Sequence, residues 1–158
     1  MRNIVRIIPL FCLLFLASCH GRVLYSHVHD LPVEGWHADS VLTFAYTPID
    51  SVADYSIRFV VKHTNQYPYQ NLWMFVHEYQ DSICTMIDTI ECYLADDYGR
   101  WYGKGVSSYE LPLVYQEPVS YHFPNTIHTI TLQQGMRSEL VKGIQSVGIE
   151  VVRINHRN

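Results

Sequence analysis

The chain has 158 residues, 48% of them apolar and 16% charged, with 11 Lys and Arg against 15 Asp and Glu and a formal charge of −4. That length suits one domain with a sizeable core, and the acidic balance repels phosphate backbones, which excludes nucleic acid as a natural partner. Two of the basic residues, Arg2 and Arg6, precede an apolar run from Ile7 to Leu16 that closes on Ala17 and Ser18. This order is that of a secretory signal, and the run is too short for the roughly 20 residues that a membrane-crossing helix needs.

Leu16-Ala17-Ser18-Cys19 is the pattern of a bacterial lipobox. Residues 1–18 are therefore expected to be cleaved as a lipoprotein signal peptide, and Cys19 to receive the lipid, palmitate included, that anchors the chain to a membrane. Several acyl chains together give stable anchoring, where one alone is marginal. Cleavage leaves about 140 residues, with nine basic against 15 acidic side chains. No acidic residue follows Cys19 in His20-Gly21-Arg22, which by resemblance to other lipoproteins favours the outer membrane and its periplasmic face. Residues 19–34 are expected to be anchor and tether, with an edge strand as the alternative use of their apolar side chains, and 35–158 a single domain.

SHVHD (26–30) places His27 and His29 on one side of an extended chain beside Asp30. Two nitrogens do not make a closed zinc site, which takes four ligands, and no HExxH occurs, so no metal and no cofactor is expected. From Val41 onward the apolar pattern has period two. VLTFAYT (41–47), DYSIRFVVKH (54–63), NLWMFVHEY (71–79), DTIECYLA (88–95), YELPLVY (109–115), TIHTITL (126–132) and SVGIEVVRI (146–154) read as strands. In the strongest, Tyr55, Ile57, Phe59 and Val61 form the apolar face. TPID, NQYPYQN, DDYG, QEP and FPN carry the Pro, Gly, Asn and Asp of turns. Only GMRSELVKGI (135–144) is expected to hold a helical turn or two, with Ser138 as cap and Gly143 as stop. Seven or more short strands between turns predict a mainly β chain, an antiparallel β-sandwich of jelly-roll-like or immunoglobulin-like type.

Cys84 and Cys92 are the cysteines left to the folded domain. An oxidising periplasm permits a disulfide between them, whereas the position of Cys92 on the face of Ile90 and Leu94 also suits a buried free thiol. No G-x-S-x-G elbow or cysteine–histidine signature is present, and Asp96 and Asp97, adjacent on the chain, are a turn pair rather than a catalytic one.

LADDYGRWYGKG (94–105) is the densest stretch of chemistry. As a phosphate loop it is one residue short and ends in Gly105 ahead of a strand instead of a helix; as a calcium loop it has too few carboxylates. Two readings stand. Trp101 packs at the core edge in a glycine-hinged turn, or Arg100, Trp101 and Tyr102, with Tyr67 and Tyr69, present a surface to a sugar or a protein.

YPYQNLW (67–73), DTIECYLADDYGRWYGKG (88–105) and GMRSELVKGIQSVGIEV (135–151), in that order behind a lipobox, resemble the GldH family of gliding-motility lipoproteins of the Bacteroidetes. The likeness runs through the mature domain from about Gly35-Trp36. It implies a non-enzymatic cell-envelope lipoprotein that serves gliding and the associated secretion of surface proteins, with envelope proteins of that apparatus as partners. Of the residues named, only Cys19 receives a chemical role from it. The alternative is a sandwich module that binds a glycan through exposed aromatics.

Overall fold

The computed structural model describes residues 23–123 and 125–154; the signal segment and Cys19 lie outside the described residues. Eleven strands follow one another there: β1 (Val23–Asp30), β2 (Trp36–His37), β3 (Val41–Tyr46), β4 (Asp54–Thr64), β5 (Asn71–Gln80), β6 (Ile83–Tyr93), β7 (Lys104–Gly105), β8 (Ser108–Ser120), β9 (His128–Gln134), β10 (Leu140–Val141) and β11 (Ile144–Arg153). Every pairing is antiparallel. A five-stranded sheet in the order β1-β11-β4-β8-β7 packs on a four-stranded sheet in the order β3-β9-β5-β6. Apart from the hairpins β5–β6 and β7–β8, each long strand is followed by one in the other sheet, so the chain shuttles across the core. This is the expected antiparallel sandwich.

Alternation explains the packing. Tyr55, Ile57, Phe59 and Val61 of β4 are buried as predicted, facing Leu72, Met74 and Val76 of β5 and Ile130 and Leu132 of β9 within one apolar core. Arg58 and Lys62 point away. At one end of the interlayer space the core turns polar. The Tyr46 and Tyr121 hydroxyls share a 2.8 Å hydrogen bond, and Glu78 accepts from Gln116 at 2.8 Å beside the enclosed Tyr115 hydroxyl. Burial raises the pKa of Glu78, Tyr46 and Tyr121 alike.

The structure bears on three expectations. Of the two uses left open for the residues before 35, tether or edge strand, Val23–Asp30 take the second: they form β1, which pairs with β11 and covers that strand's free edge. His27 and His29 share a face, as expected, but their rings pack edge-on to Phe44, and His29 Nε2 donates to the Thr43 carbonyl at 3.0 Å. Among the described residues no three metal-ligating side chains gather.

Residues 135–144 form no helical turn. The buried Gln134 amide supplies that loop's hydrogen bonds, donating to the Ser138 carbonyl at 2.9 Å and accepting from the Met136 amide at 2.8 Å. Leu140 and Val141 instead pair with His37 and Trp36, whose indole is fully buried and donates to the Ser40 carbonyl. Gly143 is left-handed, as a stop would be, and a side chain there would also strike the Tyr67 backbone.

Cys84 and Cys92 are both free, so the disulfide falls. They lie on β6, eight residues apart and hence about 26 Å along an extended strand, where a disulfide needs Cα atoms within about 7 Å. The strand is longer than expected because Asp81 and Ser82 alone make the β5–β6 turn, which brings Ile83 opposite Gln80. Cys92 is the buried thiol, its pKa pushed up to about 12 by burial and then by Glu91. An aromatic disulfide reagent is expected to titrate Cys84 in the native protein and Cys92 only in denaturant. Two thiols reacting at one rate without denaturant would contradict this packing.

His63 on β4 is fully buried among Trp101, Tyr109 and Tyr67. Its Nδ1 donates to the Thr64 carbonyl at 3.3 Å, and Nε2 has no hydrogen-bond partner. Burial lowers its pKa from 6.5, and does the same for His128. The unfolded chain therefore takes up protons that the folded chain refuses. Stability is complete above pH 6.5 and declines as pH falls below it, by at most about 1.4 kcal/mol per pH unit for each histidine. In chemical denaturation, His63→Gln is expected to lower stability at pH 7.5 but to flatten the decline between pH 6.5 and 5; an unchanged slope would show that His63 is not its source.

Candidate interaction surface

The stretch 94–105 is built around Asp96. Its Oδ1 accepts from the amides of Tyr98 and Arg100, both at 2.9 Å, and its Oδ2 from Arg100 Nε at 2.7 Å. These bonds, the Arg100 amide foremost, hold the carboxyl below the usual range. Gly99 closes the turn onto the Asp96 carbonyl with a positive φ that its neighbours would resist. Beyond it, Gly105 is obligatory: a Cβ there would lie 1.7 Å from the Ser108 carbonyl oxygen, inside the tight β7–β8 hairpin. Asp96 and Asp97 are thus the turn pair that their adjacency suggested.

Trp101 settles between the two alternatives, nearer the structural one. Half-buried and bridged to Ala95, it sets its ring edge-on to His63 at 4.5 Å and donates from Nε1 to Asn65 Oδ1 at 3.0 Å. It closes the top of the core. Arg100 is exposed but tied to Asp96 and laid over the Tyr98 ring, and Tyr102 is exposed. Tyr67 leaves the expected surface altogether. It is 2% exposed, with its hydroxyl donating to the Asn71 carbonyl at 2.6 Å, because the turn at 65–70 folds it under the sheet toward His63. Its neighbour Tyr69 is exposed, the two rings meeting edge to face.

Tyr69 instead joins a set of side chains that sequence reasoning passed over. On β5, Leu72, Met74 and Val76 fill the core, so Trp73 and Phe75 must stand on the outer face, where they are 37% and 42% exposed. Tyr93 of β6, opposite Asn71, stands exposed beside them. Glu91, opposite Trp73, accepts from Tyr93 Oη at 2.8 Å and from Asn71 Nδ2, which orients both.

The loop after β9 lies against this row. The Gly135 amide donates to the Trp73 carbonyl at 2.7 Å, the Trp73 amide to Met136 Sδ at 3.3 Å, and the absent side chain of Gly135 leaves room for the Phe75 ring. Tyr69, Asn71, Trp73, Gly135, Met136 and Arg137 line an open groove of about 420 Å³. It offers aromatic faces, a thioether, an amide and an exposed guanidinium, a set that can contact a partner's apolar and polar groups together. The signal was legible only as an apolar run, WMF, in which both strand faces are hydrophobic.

A family model described as GldH lipoprotein matches residues 23–151, most of the described chain. The chain is 28% identical over 152 residues to the gliding motility lipoprotein GldH of Flavobacterium johnsoniae, covering 91% of this chain and 93% of that one. It is 25% identical over 150 residues to the gliding motility lipoprotein GldH homolog of Christiangramia forsetii, covering 90% and 91%. Among solved structures, dimeric latent PorU from Porphyromonas gingivalis is similar with a TM-score of 0.35 and 7% identity, covering 86% of this chain and 14% of that chain, a likeness too slight to carry any argument. The match from β1 to β11 and the full-length likeness to two gliding-motility lipoproteins lead to one conclusion: this chain belongs to the GldH lipoprotein family.

Proposed function

We propose that the protein is a non-enzymatic accessory of gliding motility and of the associated secretion of surface proteins. It is acylated on Cys19, held at the outer membrane facing the periplasm, and docks an envelope protein through the outer face of its four-stranded sheet. The observation that carries this reading is the row of exposed aromatic side chains formed by Trp73 and Phe75 on β5, Tyr93 on β6 and Tyr69 in the turn before β5, rimmed by Asn71, Glu91 and Arg137. Aromatic side chains concentrate binding energy, and an interface whose centre is aromatic and whose edge is polar excludes water from its core. Arg100 and Tyr102 belong to the neighbouring loop and would extend the rim. A second reading, glycan binding, draws on the same groove, because Tyr69 and Trp73 flank Asn71 and Arg137 as stacking faces flank hydrogen-bonding groups in a sugar site.

Complementation of a deletion strain tests the proposal. Trp73→Ala with Phe75→Ala changes exposed atoms and is expected to leave the melting temperature within a few degrees. Spreading and the secretion of surface proteins should fall to deletion levels, since a central aromatic contact contributes about 2 kcal/mol or more, roughly thirtyfold in affinity. Full complementation by the double variant would remove the docking role of this face. Retained binding to a glycan array by the wild type, lost in Trp73→Ala, would move the assignment to the second reading. Cys19→Ala should abolish palmitate labelling and release the protein from membranes; persistent labelling would refute the anchor.

A further inference from the structure

The anchor and the loops of the sandwich bear on each other. β1 begins at Val23, four residues after Cys19, so the acylated cysteine can lie no more than about 14 Å from that point even with the chain fully extended. β8, at 13 residues, spans roughly 40 Å, so one end of the sandwich is leashed close to the bilayer and the other is not. The register identifies the leashed end. Val23 pairs with Val152, Arg153 with Tyr55, and Asp54 with Ser120, while Tyr46 and Gln80 both pair with His128 in the other sheet. The turns 47–53, 81–82 and 121–127 therefore meet the start of β1 at this end. They are joined to one another, the Asn125 amide donating to the Pro48 carbonyl at 2.9 Å and the Asp81 amide to the Ile127 carbonyl at 2.7 Å.

Apolar side chains stand exposed at these turns and beside them. Val52 is 90% exposed, Ile49 74% and Ile83 72%, with Val23, Phe123 and Ile127 also exposed. The carboxylates among them are occupied. Asp50 pairs with Arg153 at 3.3 Å and accepts from the Val52 amide, Asp54 accepts from the Ser120 hydroxyl at 2.5 Å, and Asp81 accepts from the Ile127 amide at 3.2 Å. The opposite end carries the charged Glu34, Asp97, Arg100, Lys104 and Lys142 together with exposed apolar side chains of its own, Val33, Tyr98 and Val106, so it is the short leash, and not apolarity alone, that singles out the end where β1 begins.

We propose that this end of the sandwich is a lipid-contacting surface, with Ile49, Val52 and Ile83 seated in the headgroup region of the membrane that holds the acyl chains. The proposal rests on acylation of Cys19, and adds to it a second point of contact. Acyl chains alone leave a domain free to tumble about its leash; apolar side chains at the end whose first strand starts within about 14 Å of the acylated cysteine, beside carboxylates already paired, favour entering the interface over facing water. The sandwich then stands on the membrane with its strands upright. Trp73 and Phe75 are displayed sideways, and the Asp96 turn is farthest from the lipid.

The test uses the full-length acylated protein in vesicles of phosphatidylethanolamine and phosphatidylglycerol. In a Cys84→Ser background, an environment-sensitive fluorophore is placed on Val52→Cys, on Ile83→Cys, or on Val33→Cys at the far end, all at exposed positions. Phospholipids brominated near the headgroup are expected to quench the first two at least threefold more than the third. Equal quenching at all three positions in protein that floats with the vesicles would overturn the lipid contact while leaving acylation intact. Protein that fails to float would overturn acylation itself, and the proposal with it. Ile49→Glu with Val52→Glu, changes at exposed positions, should keep flotation but at least halve the quenching at position 83; undiminished quenching would likewise overturn the contact.

Discussion

The structure depends on one constraint: along each long strand every second side chain must enter the space between the two sheets. Phe59, Ile149, Leu72, Met74, Ile130 and Phe44 meet there without solvent. A slip of one residue in any ladder would turn that set outward and bring Arg58, Lys62 or Glu150 in, so burial pins the register of every central strand. The outer faces follow from this. Trp73 and Phe75 are outside because Leu72, Met74 and Val76 are inside.

A sandwich has open sides and open ends, and the chain closes each differently. β1 covers the free edge of β11, while Tyr25, His27 and His29 reach from it across to Phe44 and Tyr46 of the opposite sheet. At the far end, Trp101 and Tyr109 lie over His63, and the small β2–β10 ladder seats Trp36 in the core. The glycines at 105 and 143 are where backbone passes too near backbone for any side chain. The end where β1 begins closes on polar groups, the Tyr46–Tyr121 pair and the Glu78–Gln116 contact. Buried hydrogen-bonded groups of this kind hold one arrangement of the ends because any other leaves them unpaired.

These features give the molecule a direction. One end lies a few residues from the lipobox cysteine, the other carries the charged turn centred on Asp96, and a lateral face carries the aromatic row. In the arrangement proposed above, the aromatic face would look sideways along the membrane plane, toward a neighbouring envelope protein. Of the titratable groups, His63 is enclosed in the core, Glu78 is partly buried against Gln116, and Asp96 is consumed by its own turn.

Much of this was legible in the sequence. The period-two pattern located the long strands because alternation is a local consequence of strand geometry, and the turn residues marked their ends. The lipobox and the ordered motifs around YPYQNLW and LADDYGRWYGKG pointed to the family; at 94–105, spacing excluded a phosphate loop and the small number of carboxylates weighed against a calcium loop. The tertiary structure decided what depends on contacts between distant segments. It buried Tyr67 and exposed Trp73, since an apolar run on both parities does not say which parity faces a partner sheet. It placed Cys84 and Cys92 far apart on one strand, and chose the edge strand over the tether for residues 23–30 by offering the edge of β11. It replaced a helical turn at 135–144 with a bend, because the Gln134 amide and the indole of Trp36, about a hundred residues away, satisfy and cover that loop better than its own backbone could. Local periodicity is written in neighbouring residues; burial is a property of the pairing, and only the fold supplies the partner.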